Sequence, residues 1–446
     1  MAMDEHEVRR RLAAAVPPNV RAVCATLTAA GHQAVTVGGA VRDAIIGRVP
    51  GDWDVATSAR PEQVMELFPR TVPTGLAHGT VTIVTGRGEH THVEVTTFRG
   101  EGAYTDARRP DHVVFGVPLV EDLARRDFRV NAMAYDPGRD ALIDPHAGMI
   151  DLSERVLRAV GPTGKVYDDA VARFTEDGLR VMRAVRFAAT LEFDLDPDTE
   201  RGIAPALPSL AKVSKERISA EVRLLLGARQ PSRGLAIAER TGILALIVPE
   251  LSAGFDRWGA SCGGREQAVA RWLCRIDAAP VGARLAAFVV ELASPDREPA
   301  ARDSALFNAV QQLFRRLKFS NQEADGAGQV ASIARAVEVA SVSPPQVRRL
   351  FAAVGRDHAS TALAVWRAMQ PSSPLIATAE QILRERHPLA VKELAVTGKD
   401  IMDELEIAPG PILGRTLAAI LERVLDQPEL NTREQLLGVA RQLAAE

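Results

Sequence analysis

Residues 34–57 constrain this chain more than any other stretch. Ala34-Val35-Thr36-Val37 is a β-rich run that ends in Gly38-Gly39, and the residues from Ala40 to Ile46 suit a helix. A strand that enters a helix through two glycines reads as a phosphate-binding turn. Glycine lets the backbone approach an anion, and a helix start offers unpaired N–H groups. Arg42 adds a fork of donors matched to phosphate oxygens. The next run, Asp52-Trp53-Asp54-Val55-Ala56-Thr57, lies between Pro50-Gly51 and Ser58. As a strand over 52–57 it points both carboxylates to one face and Trp53 to the other. Two carboxylates on one face repel unless a cation joins them. A divalent ion, Mg²⁺ by preference for hard oxygens, answers this, with substrate phosphates as further ligands. An Asp-rich turn is the bland alternative. The position just after a Gly-Gly-x-x-Arg turn weighs against it.

At 446 residues the chain is long enough for several domains. The net charge of −3 gives no global sign of nucleic acid, so a polynucleotide has to be held by local basic clusters. Such clusters occur at Arg108-Arg109, Arg125-Arg126, Arg315-Arg316 and Arg348-Arg349, each weak by itself. The three cysteines, Cys24, Cys262 and Cys274, have no zinc spacing and suit a reducing cytoplasm. No apolar run approaches the ~20 residues of a membrane span, and an acidic, Arg-rich start does not read as a secretory leader.

In chain order, Val20–Ala30 reads as a helix closed by Gly31. Pro61–Leu67 reads as a short helix with Ser58 or Ala59 near its cap. Gly79–Thr85 and His92–Phe98 alternate like strands. Glu94, inside the second, is either a third acid that polarises an attacking hydroxyl or a solvent-facing glutamate. Arg99–Phe115, with Gly100, Gly102, Asp106, Arg108 and Arg109, lacks periodicity and reads as a long functional loop. After a helix at Leu119–Ala124, the run from Arg125 to Ala134 sets an arginine pair beside Asp127 and Asn131, donors for a triphosphate and ribose. A salt-bridged surface helix is the alternative. His146, beside Pro145, reads as structural.

The stretch from Phe174 to Phe187 reads as a helix with Thr175 at its N-cap. Asp177 and Arg180 are three apart and share a face; Arg183 and Arg186 continue the spacing. Cytosine and adenine each present an amino donor beside a ring-nitrogen acceptor. Uracil and guanine present a ring N–H and a carbonyl instead. A carboxylate beside a guanidinium complements the first pattern and rejects the second. The competing reading is an ordinary surface ion pair.

These motifs together resemble the class II tRNA nucleotidyltransferases, the CCA-adding enzymes, which share a catalytic head with bacterial poly(A) polymerases. The resemblance covers most of the chain. It implies template-independent transfer of C, C and A from CTP and ATP to the tRNA 3′ end. In that scheme Asp52 and Asp54 are catalytic metal ligands with Glu94 beside them. Gly39, Arg42, Arg126 and Asp127 bind the nucleotide's phosphates and ribose. Asp177 and Arg180 read the base, with Arg183 and Arg186 as weaker candidates. The expected fold is α+β and multidomain: a small mixed-sheet head (1–160), then an all-helical neck (161–230), body (231–390) and tail (391–446). Gly398, Gly410 and Gly414 are expected in helix-opening turns near tRNA phosphates. The rivals are an A-adding or CC-adding enzyme, a poly(A) polymerase, and a non-catalytic RNA-binding protein on the same fold. The full-length loop at 99–115 counts against CC-only addition. Gly75-Leu76-Ala77-His78-Gly79, where poly(A) polymerases carry Arg-Arg-Phe, counts against the second rival. The intact acidic pair counts against the third.

Overall fold

Two helices lead into the sheet. α1 (Glu5–Ala15) is capped by the Asp4 carboxylate, which accepts from the His6 amide. α2 (Pro18–Ala29) opens on a proline, whose missing N–H costs nothing in a first turn. The structure, a computed structural model, describes residues 4–86, 91–101, 113–296, 301–339 and 341–445. β1 (Ala34–Val37) is buried throughout and enters α3 (Gly39–Ile45) through Gly38. There follow β2 (Asp54–Thr57), α4 (Pro61–Leu67), β3 (Thr71–Gly75), β4 (Thr80–Val84) and β5 (His92–Thr97). Next come β6 (Arg99–Glu101), β7 (Val113–Phe115), α5 (Leu119–Ala124), β8 (Ala134–Asp136), β9 (Ala141–Ile143) and α6 (Gly148–Glu154).

Seven of these strands form one mixed sheet in the order β3-β4-β5-β2-β1-β8-β9. Its single parallel pairing, β2 with β5, sets Asp54 directly beside Glu94. Val35, Val37, Ala56, Phe98, Leu119, Leu123 and Ala134 close a core on the sheet. That burial specifies register, because a one-residue slip of β2 would turn Ala56 away from this core and carry the Asp54 carboxylate to the other face of the sheet.

The sequence reading needs four local corrections here. The strand after Pro50-Gly51 begins at Asp54, so Asp52 lies in the irregular segment that precedes it. The cap of α4 is Arg60, whose amide donates to the Gln63 side chain 2.8 Å away. β3 is an edge strand of mostly exposed residues, without the apolar alternation that announces a strand. The two ends of the 99–115 segment pair antiparallel, Arg99 with Phe115 and Glu101 with Val113; Gly102, Asp106, Arg108 and Arg109 lie outside the described residues.

Helices then take over: α7 (Val166–Glu176), α8 (Leu179–Leu191), α9 (Pro197–Arg201), α10 (Ile203–Ala211), α11 (Lys215–Leu226) and α12 (Pro231–Arg240). Thr175 is not an N-cap. It sits in the last turn of α7, and the chain breaks at Asp177-Gly178 before α8 begins. A Cβ on Gly178 would lie 2.3 Å from the Ser209 carbonyl carbon, so α10 approaches closer than any side chain permits. Ser214 precedes α11 as its N-cap residue.

The chain divides into two compact units, Met1–Ile247 and Val248–Glu446. The second is helical throughout its described residues and buries Trp272 and Trp366, whose indole N–H groups donate to the Phe288 and Ile333 carbonyls at 3.0 Å. Its C-terminal part has its own cluster around Ile401, Ile420, Val424 and Leu436. Buried Arg348 ties that cluster to the preceding helices by donating to the Leu425 and Asp426 carbonyls. Gly398 follows the Thr397 cap and Gly410 caps the helix Pro411–Asp426, whereas Gly414 lies inside that helix. Among the described residues no helix is long and apolar enough to cross a membrane.

Two glycines separate close packing from open space. A Cβ on Gly234 would sit 2.1 Å from the Val185 carbonyl oxygen, where α12 crosses α8, whereas Gly414 has nothing within 4 Å. Gly234→Ala should therefore destabilise by about 1–3 kcal/mol, an overpacking cost. Gly414→Ala should stabilise by about 0.5–1 kcal/mol through helix propensity. Urea unfolding of both variants checks this, and a Gly234→Ala protein as stable as the parent would contradict it.

Candidate active site

Gly38 decides how the site begins. It adopts φ +77°, a backbone region that L side chains rarely occupy, and a Cβ there would lie 2.7 Å from Arg126 Nη1. The turn thus places Arg126 against the backbone at the start of α3. Gly39, the first residue of α3, has ordinary contacts, so the left-handed turn belongs to its neighbour. Arg42, one turn into α3, is almost fully buried and donates to Asn131 and Asp43.

A cavity of about 520 Å³ opens at this turn. Its lining includes Gly39, Arg42, Asp54, Arg126, Asp127, Asp177, Arg180, Arg183 and Arg186, all expected from sequence, together with Arg99, Arg125, Asn131, Phe187 and Arg217. Eight arginines face three aspartates in that wall, a formal surplus of five positive charges. A low-dielectric concave wall of one sign concentrates an anion such as a triphosphate.

Three carboxylates gather at the sheet edge of the cavity. The surrounding wall strips solvent from Asp54 and pushes its pKa up to about 6; Arg126 opposes this, and the charges of Glu94 and Asp52 add to it. The Asp54 side chain still reaches solvent at the mouth. Asp52 and Glu94 are exposed. Asp52 lines a neighbouring cavity of about 360 Å³ with Val49, Trp53 and His92, and Glu94 stands beside Asp54 in register. Among the described residues no three acidic, histidine or cysteine side chains form a ready metal cage. What remains fits a hard divalent ion held by one or two carboxylates, with substrate oxygens and water completing the shell.

Asp127 is buried and its oxygens are committed. Oδ1 accepts from the Phe128 amide and Asn131 Nδ2, both at 2.9 Å, and Oδ2 accepts from Arg183 Nε at 2.7 Å. Burial alone would raise its pKa, but the Arg183 guanidinium and the Asn131 bond overcome this and hold it at about 2. Asp127 therefore orients Arg183 and Asn131.

Asp177 and Arg180 line the same cavity but are not bonded to each other through their side chains. Asp177 Oδ1 accepts from the Leu179 amide at 3.1 Å, and Oδ2 accepts from Arg217 Nη2 at 3.0 Å. Arg180 donates to Glu176 at 2.8 Å, to the Arg173 carbonyl at 3.1 Å and to the Arg125 carbonyl at 2.8 Å. The break at Gly178 separates them, so the surface ion pair weighed above does not form. Arg186 Nε and Glu221 Oε2 stand 2.7 Å apart as an ion pair without hydrogen-bond alignment. Arg217, Glu221 and Phe187 escaped the sequence reading as site residues. Arg217 and Glu221 are i,i+4 on α11, a spacing with many surface uses, and only the packing of α11 on α8 brings them to the site.

Three family models match the chain. "Poly A polymerase head domain" covers residues 34–158, "Probable RNA and SrmB- binding site of polymerase A" residues 192–255, and a tRNA nucleotidyltransferase domain 2 model residues 305–440. The CCA-adding enzyme of Geobacillus thermodenitrificans is 36% identical over 411 residues, 91% of this chain and 92% of its own length. That of Lactococcus lactis is 33% identical over 427 residues, 93% and 94% of the two chains. The crystal structure of the Bacillus stearothermophilus CCA-adding enzyme in complex with CTP matches with TM-score 0.72 and 30% identity, covering 96% of this chain and 98% of that one. A Thermotoga maritima structure with TM-score 0.65 and 19% identity shares the fold.

The Asp54 shift has a testable sign. A carboxyl whose folded pKa lies above its unfolded value costs stability once ionised, and the cost grows as pH rises from about 4 through about 6. Asp54→Asn should therefore unfold at a higher temperature than the parent at pH 7.5 without added divalent ions, and the advantage should fade toward pH 4. Equal midpoints at both pH values would show that Asp54 ionises like a free side chain.

Proposed function

The chain belongs to the CCA-adding enzymes, and on that premise we propose that it adds C, C and A from CTP and ATP to the 3′ end of tRNA without a nucleic-acid template. The observation that carries this reading is an arginine-rich cavity whose wall includes Asp54 together with Asp177 and Arg180. Its size and charge suit one nucleoside triphosphate.

Arg42, beside the Gly38 turn, and Arg126 hold the triphosphate. Their planar forks suit phosphate oxygens better than an ammonium would. Asp52 and Asp54 would hold the divalent cation, Mg²⁺ by their hard oxygen chemistry; when bound it lowers the pKa of the RNA 3′-hydroxyl and neutralises charge on the triphosphate. Glu94, adjacent to Asp54, adds negative potential at the hydroxyl's proton. Asp177 accepts from the exocyclic amino group of cytosine or adenine, and Arg180 donates to the adjoining acceptor. The Arg217 bond to Asp177 Oδ2 and the Arg125 carbonyl bond to Arg180 orient the two groups before a base arrives. A base that offers N–H and carbonyl in reversed order leaves a buried donor or acceptor unpaired, which discriminates more strongly than shape. The helical second unit would contact the RNA by shape and phosphate, as double-stranded RNA requires. The unpaired cysteines suit the cytoplasm.

The test supplies tRNA lacking its last three nucleotides with each labelled nucleotide alone and in pairs. CTP alone should add two residues, and CTP with ATP three. Stalling after two cytidines with both present would indicate a CC-adding enzyme, addition of A only to tRNA ending in CC an A-adding one, and long adenosine tracts a poly(A) polymerase. Asp54→Ala should lower the incorporation rate by about 10³-fold or more, several kcal/mol of lost charge stabilisation, with tRNA affinity nearly intact. Asp177→Ala should raise UTP incorporation relative to CTP by about tenfold or more. Unchanged selectivity in a folded Asp177→Ala protein would remove that residue from base reading.

A further inference from the structure

Three arginines that reach the cavity from two helices converge on one ring. The guanidinium carbon of Arg186 lies 4.1 Å from the Phe187 centroid, and those of Arg42 and Arg183 each lie 5.1 Å from it. Arg42 comes from α3 in the sheet layer; Arg183 and Arg186 come from α8, the helix that carries Arg180 in its first turn. Each is tethered elsewhere as well: Arg42 to Asn131 and Asp43, Arg183 to Asp127, Arg186 to Glu221. Phe187 itself is 7% exposed and lines the cavity. Its ring meets Phe128 nearly perpendicular, at 88° and 5.9 Å, so it cannot swing without displacing a fully buried neighbour.

Three like charges held this close repel one another in a wall of low dielectric. Carboxylate and amide tethers hold the guanidiniums by their N–H edges, Arg42 by Asp43 and Asn131, Arg183 by Asp127 and Arg186 by Glu221. The electron-rich face of an aromatic ring attracts each cation through its face instead, without adding a charge that would repel a triphosphate. Leucine or methionine fills comparable space but lacks that face.

We propose that Phe187 is a positioning residue. Its ring sets the spacing between Arg42, on the phosphate side, and Arg183 and Arg186, nearer the base-reading groups, so that an incoming nucleoside triphosphate meets arginines already in place. This inference rests on the nucleotide-binding reading above. Because the ring touches guanidiniums and not the reacting phosphorus, its loss weakens nucleotide binding more than turnover. Because CTP and ATP use the same arginines, both suffer alike.

The test compares Phe187→Leu, Phe187→Met and Phe187→Tyr in the full chain. CTP and ATP affinities are measured by calorimetric titration without RNA. KM and kcat are measured on tRNA lacking three nucleotides or lacking only the last. The leucine and methionine variants should bind both nucleotides about tenfold more weakly, with KM rising to match and kcat within about threefold. The tyrosine variant, which keeps the ring, should stay within about threefold of the parent. Should Phe187→Leu fail to fold, Phe187→Met decides the matter, since its unbranched side chain adapts to the space. Ring-less variants that bind nucleotides like the parent overturn the proposal. So does a stably folded Phe187→Tyr protein that binds as weakly as Phe187→Leu. A parent protein that binds nucleotide but never extends tRNA would overturn the functional reading instead, and the titrations would still decide the role of the ring.

Discussion

The buried carboxylate of Asp127 is the interaction on which the site depends. Burying an ionised carboxylate is costly unless each oxygen is satisfied. Here the Phe128 amide, Asn131 and Arg183 satisfy it, and the carboxyl is held at about pKa 2. Those donors come from two places. Phe128 and Asn131 belong to the turn that follows α5, and Arg183 belongs to α8. One ion therefore pins α8, which carries Arg180, Arg183 and Arg186, to the turn that follows α5. Asn131 extends the connection by accepting from Arg42, beside the Gly38 turn. Arg42 on α3 and Arg183 on α8 are thus anchored within one buried hydrogen-bonded network.

The same economy of charge shapes the rest of the cavity. Arginines outnumber acids in its wall, yet the described ones are each oriented by a neighbour: Arg125 by Asp122 at 3.1 Å, Arg186 by Glu221, Arg217 by Asp177. At the sheet edge the balance reverses. Burial in the wall pushes the Asp54 pKa up, Arg126 opposes it, and the charges of Glu94 and Asp52 add to it. An arginine surplus along the wall and a cluster of carboxylates at the sheet thus give the cavity two ends of opposite charge.

Much of this was legible in the sequence because its signals are local. The run into Gly38-Gly39, the Asp-x-Asp spacing and the strand alternation around Glu94 needed only the periodicity of a strand and the freedom of glycine. The mixed-sheet head and the helical remainder followed from the same patterns. The errors arose where distant residues decide local structure. Thr175 and Asp177 looked like the start of one helix; the chain breaks there because α10 presses its backbone onto Gly178, and only the glycine itself hinted at this. Asp177 and Arg180 looked like partners by spacing, but tertiary packing gave Asp177 to Arg217 and Arg180 to Glu176 and two carbonyls. Phe187 read as one more apolar helical position, and nothing local says that three guanidiniums surround it. Asp52 lost its place in the strand because pairing with β1 begins at Asp54 opposite Val37.

The claim that protein side chains alone read the base is tested most directly by a crystal structure of this chain with CTP and Mn²⁺ as a visible divalent ion. The account predicts cytosine with its amino group on the Asp177 carboxylate and its adjoining acceptors toward Arg180. It places the triphosphate against Arg42 and Arg126, and an anomalous peak at Asp54. A complex in which the triphosphate is bound there but the cytosine edge faces away from Asp177 and Arg180 would contradict it.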